Sequence, residues 1–117
     1  MPAIGYSISA INDIPAGESV NNIIENKPGV KLARRSAVDI FLSREGVDVS
    51  ATVTVGGTAV YPNGPTPLNA TVGVLPSTQD DNVISVIADA GDEILIAGTN
   101  VNVAAQELRA LVKVLPV

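Results

Sequence analysis

Val49, Ala51, Val53 and Val55 alternate with Ser50, Thr52 and Thr54, and Gly56-Gly57 follows at once. A period of two puts all four apolar side chains on one face of an extended strand, whereas a helix would scatter them around its axis. Val and Thr are β-branched and fit the pleated backbone. Two adjacent glycines suit a tight hairpin, because both positions accept positive φ. A chain organised around such a segment is a sheet protein.

The same period recurs elsewhere. Ile4, Tyr6, Ile8 and Ala10 share one side of the first segment. Val38, Ile40 and Leu42 share a face, with Asp39, Phe41 and Ser43 on the other. Residues 58–61, 71–75, 82–89 and 93–99 read as further short strands. In the last segment Leu108, Ala110, Val112 and Val114 point inward, and Glu107, Arg109, Leu111 and Lys113 outward. Its Ala, Gln, Glu, Leu and Arg content also suits a helix over residues 104–114, but the Leu-Val-Lys-Val-Leu ending before Pro116 favours strand.

Turn clusters separate these segments. Asn12 to Gly17, Lys27-Pro28-Gly29, Asp89-Ala90-Gly91-Asp92 and Asn100-Val101-Asn102-Val103 all carry turn residues. Residues 19–26 fit either one helical turn or an irregular strand. Residues 62–67 hold three prolines, which removes three backbone donors, and they read as an exposed loop. The expected architecture is all-β: a β-sandwich or jelly-roll-like barrel of about seven or eight short antiparallel strands. The chain is expected to form one domain, with residues 1–35 as an N-terminal strand and contact segment before a sandwich of residues 36–117.

Composition narrows the chemistry. The chain has no His, Cys or Trp, and its aromatics are Tyr6, Phe41 and Tyr61. His is the usual acid–base group near neutral pH, and Cys and His supply soft metal ligands and activated nucleophiles. Aromatic rings make stacking platforms for bases. With 46% hydrophobic residues, mostly small aliphatics, the core is ample but built of thin layers. No enzyme activity and no cofactor are expected. No apolar run approaches the ~20 residues of a membrane span, and the first residues lack a signal-peptide pattern, so no membrane partner and cytoplasmic synthesis are expected.

Charge is unevenly placed along the chain. Residues 1–45 balance Asp13, Glu18, Glu25, Asp39 and Glu45 against Lys27, Lys31, Arg34, Arg35 and Arg44. Beyond residue 45 seven acids meet only Arg109 and Lys113, which leaves the whole net charge of −5 there. Acidic surface repels phosphate backbones, so no nucleic-acid partner is expected. Asp80, Asp81, Asp89, Asp92 and Glu93 form the one acid-rich stretch, but they match no calcium-loop spacing and read as turns in which Asp bonds its own backbone. Lys27, Lys31, Arg34 and Arg35 are the one basic cluster, read as solvated surface or a subunit contact. With Ile4, Tyr6 and Ile8 they are the candidate protein-interaction residues. The bases of this cluster stand opposite an acidic second half of the sequence, a charge polarity suited to oriented docking.

Asp48-Val49-Ser50-Ala51-Thr52-Val53-Thr54-Val55-Gly56-Gly57, Ala90-Gly91-Asp92-Glu93-Ile94 and Leu111-Val112-Lys113-Val114-Leu115-Pro116 together resemble small β-sandwich virion proteins of tailed bacteriophages, most of all the capsid decoration (cement) proteins. The resemblance covers roughly residues 36–117 and lies in pattern, with no site motif to transfer. It implies a homotrimer on the outside of an icosahedral head, at three-fold or quasi-three-fold positions, clamping major capsid protein subunits. Two other classes fit the composition: a ligand-binding sandwich, for instance for carbohydrate, and an oligomeric tail or fibre component.

Overall fold

The computed structural model describes residues 5–117. Eight strands follow in order: β1 (Tyr6–Ile14), β2 (Ser19–Val20), β3 (Ser36–Arg44), β4 (Val49–Val55), β5 (Thr58–Pro65), β6 (Asn82–Ala88), β7 (Ile94–Asn100) and β8 (Gln106–Pro116). They form two four-stranded sheets, β1-β8-β3-β6 and β2-β7-β4-β5, and every strand pairing is antiparallel. The pairs nest: β1 with β8, β2 with β7, β3 with β6, β4 with β5. A long hairpin rolled over on itself has this order, which is that of a jelly roll.

The alternating segments line the space between the sheets. Val49, Ala51, Val53 and Val55 are buried, as are Val38, Ile40, Leu42, Leu108, Ala110, Val112 and Val114. Each Val, Ile or Leu so buried contributes about 1.5–3 kcal/mol of apolar transfer. The β4–β5 hairpin turns on Gly56 and Gly57 at φ 60° and 83°, the positive angles that its two-residue loop requires. Gly98 on β7 has a different task. A Cβ there would lie 2.6 Å from Leu108 Cδ2 and 2.8 Å from Ile14 Cδ1, so its missing side chain lets the sheets close.

Residues 5–35 enter the same core. Ile8, Ala10 and Ile14 of β1 and Ile23, Ile24 and Leu32 beyond β2 belong to one buried cluster with residues of β3 to β8. The ambiguous residues 19–26 begin as the two-residue β2 and continue as turns. Asn22 organises that stretch by accepting from Ile24 N and Ile96 N through Oδ1. Residues 30–32 then run beside the start of β7, with Ile94 N donating to Val30 O and Leu32 N to Asp92 O.

Three local expectations need correction. Residues 62–65 are not an exposed loop: β5 runs through Pro65. It does so on a sheet edge, where a missing N–H breaks no ladder, and its register with β4 shifts twice. Residues 71–75 are not a strand but turn and irregular chain. Finally, the outward positions Phe41, Ser43, Glu107 and Arg109 are buried. They lie on the outer face of their sheet, and residues 66–76 account for part of the cover: Asn69 and Thr71 bind Arg109, and Gly73 binds Glu107.

Candidate interaction surfaces

The buried charges serve the fold. Arg109 is 0% exposed and donates from Nε to Glu107 Oε1 at 2.9 Å, from Nη1 to Asn69 O and from Nη2 to Thr71 O. Glu107 Oε1 also accepts from Gly73 N. Arg44 O and N hold the same segment through Asn69 N and Pro67 O. The guanidinium thus holds two backbone carbonyls of the crossing chain and Glu107 holds a third backbone group, and alternation alone does not reveal such a strap.

A second polar lock closes the opposite end of the sandwich from Tyr6. Asn100 is fully buried, and its Nδ2 donates to Ile14 O and Ala104 O at 2.9 Å each. Its Oδ1 accepts from Asn102 N, and Asn102 Nδ2 donates to Asp48 Oδ2. Read from sequence as turn residues, these asparagines tie the β7–β8 connection to the end of β1.

The candidate interaction residues separate in space. Ile4 lies outside the described residues. Ile8 is 3% exposed and part of the core, so it presents nothing to a partner. Tyr6 is exposed, shares the inward parity of Ile8 and donates from its hydroxyl to Gly29 O at 2.8 Å. Burial of part of its ring raises the Tyr6 hydroxyl pKa above the ordinary value. Lys27, Lys31, Arg34 and Arg35 are exposed, and the one ion pair among the described residues is Arg109–Glu107.

These bases do not face away from the acids of the second half. Lys31 bridges to Glu93 through the backbone, and Leu32 N bonds Asp92 O. Asp89, Asp92 and Glu93 therefore sit at the same end of the sandwich as the basic cluster, and the polarity along the sequence is not carried into space. The acids behave as turn residues: Asp92 Oδ2 accepts from Asp89 N, and Asp81 Oδ2 from Ser77 N.

That end also carries apolar surface. Ile87, Ala37 and Leu115 form one cross-strand row on the outer face, with Ile87 and Leu115 55% and 61% exposed. Val117 continues the line, its N–H bonded to Arg35 O and its side chain 69% exposed. Alternation along single strands does not show that three strands align these residues beside Arg35. Nearby, a recess of about 350 Å³ is lined by Tyr6, Ser7, Pro28, Gly29, Lys31 and Ala33. A more polar one of about 410 Å³ is lined by Asn21, Asn22, Glu25, Asn26, Val30, Glu93 and Leu95.

Among the described residues no three or more Asp or Glu side chains converge as metal ligands. The chain matches no protein-family model and no curated protein.

Proposed function

We propose that this chain is a structural virion protein that seats on the outside of an icosahedral capsid and stabilises it by bridging capsid subunits. The observation that supports this reading best is the nested strand order, an arrangement used by viral capsid domains as well as by lectins and cupins. A fold is compatible with many functions, so the surface must choose among them. Here the space between the sheets is filled by aliphatic side chains, as in a scaffold, not lined by polar groups as around a bound ligand. The exposed row of Ile87, Leu115 and Val117 beside Arg34 and Arg35 offers an apolar contact with a charged rim, the usual anatomy of a protein interface.

The test mixes the purified full chain with DNA-emptied heads of a phage whose genome encodes it and sediments the heads. Saturable co-sedimentation is expected, lost when Ile87→Glu and Leu115→Glu are combined. A folded protein that stays in the supernatant at several-fold excess over capsid sites rules the reading out. The Asn- and Glu-lined recess favours a second reading, a module for a hydroxyl-rich ligand such as a carbohydrate. Binding to a glycan array, lost in Asn26→Ala, is its signature.

A further inference from the structure

β1 closes one sheet with nine residues in unbroken register against β8. The direction of its backbone groups follows from its neighbours. Glu45 N donates to Glu107 O and Val117 N to Arg35 O, so the odd-numbered residues of β8 bond toward β3. Its even-numbered residues then bond β1, and the even-numbered residues of β1 answer them. The N–H and C=O groups of Ser7, Ser9, Ile11 and Asp13 therefore point out of the sheet edge. Among the described residues no strand pairs with that edge, and an edge of that length is a template for another strand.

The other three edges are blunted. β5 carries prolines and two register shifts, and β6 begins at a bulge opposite Ile40 and Phe41. β2 is only two residues long, and the chain after it turns across the flank of β7. β1 has no proline, no bulge and no charge before Asp13.

We propose that the outer edge of β1 pairs antiparallel with β1 of a second copy about a two-fold axis, joining two sheets into one of eight strands. Charge selects this occupant. At the Tyr6 end, Lys31 lines a recess with Tyr6 and Ser7, and Lys27 precedes it in the same loop. At the Ile14 end stand Asp13 and Glu18, the latter fixed by Asn100 N on Glu18 O. Antiparallel pairing brings Lys31, beside Tyr6 and Ser7 at the strand's edge, toward Asp13 of the other copy, twice by symmetry. With Ser9 opposite Ser9, Ile11 faces Ser7 and Asp13 faces Gly5, so no like charges oppose along the strand. A contact of β1 with itself closes as a dimer, whereas the three-fold ring implied by the resemblance needs two different surfaces per copy. The inference does not depend on the capsid reading.

Sedimentation equilibrium of the full chain tests it. A reversible dimer of twice 11.9 kDa is expected, with the amides of Ser7, Ser9, Ile11 and Asp13 protected from hydrogen exchange at high concentration and released on dilution. Ser9→Pro removes an outward N–H and no ladder bond, and is expected to weaken the dimer by about tenfold or more. Lys31→Glu and Asp13→Lys should each weaken it at low salt, and the double exchange should restore it. Should Ser9→Pro fail to fold, the exchange pattern of the unaltered chain still decides. A monomer at every concentration, a trimer, or a dimer whose β1 amides stay unprotected overturns the proposal.

Discussion

Arg109 Nε lies 2.9 Å from Glu107 Oε1, two positions away on the same face of β8, and this pair fastens residues 69–73 over the outside of the sheet. Two charges on a strand's outward face ordinarily reach water. Here the chain crossing above them takes up their donors and acceptor instead, which converts an amphipathic strand into one covered on both faces at that level.

Breaking this pair is expected to be costly. Arg109→Ala leaves the Glu107 carboxylate and two carbonyls without their partner, and removing one member of a buried pair typically costs about 3–5 kcal/mol. Urea unfolding should show that loss, with faster amide exchange at Gly73. A loss under about 1 kcal/mol contradicts the role assigned to Arg109.

The core positions respond differently. Val53 and Val112 are both 0% exposed, one in each sheet. Val112→Asp buries an unpaired charge and is expected to abolish folding, since the cost rivals the whole stability of a small domain. A soluble variant with an ordinary melting transition argues against the register of β8.

Asn100 gives a polar counterpart. Asn100→Leu is similar in volume but strands Ile14 O, Ala104 O and Asn102 N, each at about 1–3 kcal/mol if it finds no water. Thermal melting should fall more for Asn100→Leu than for Val101→Leu, one position along and 70% exposed.

Tyr6 sets a pH dependence. Its pKa is raised in the folded chain by burial, so folding favours the neutral hydroxyl. The contribution is fully present below the unfolded value, near pH 10, and is lost as pH rises through the folded value. The tyrosinate absorbance step that Tyr6→Phe removes should lie above pH 10 in the folded protein and move down in urea. A Tyr6 step at or below pH 10 contradicts the packing of its ring.

Strands with one wet face were legible in the sequence, because water on one side and core on the other imposes period two. Val49 to Val55 shows it most clearly, and Leu108 to Val114 shows it against a rival helical composition. Where a second layer covers the outer face, the rule fails: Phe41, Ser43, Glu107 and Arg109 alternate as if exposed and are buried. The prolines of residues 62–65 misled for a related reason, since their meaning depends on whether a strand lies at an edge. At the candidate interaction surface, the exposed bases were legible, but their company was not. Only the pairing of β6, β3 and β8 brings Ile87, Ala37 and Leu115 into one row. Ile8 shows the converse, an apolar residue of the first strand that the core consumes.

The most direct test of the capsid reading is electron cryomicroscopy of emptied heads with and without the added chain. Capsid binding should give a discrete outer density of jelly-roll shape at the junctions between capsid subunits, absent without the chain and absent with the combined Ile87→Glu and Leu115→Glu variant. Heads that remain bare in the presence of folded, excess protein contradict it.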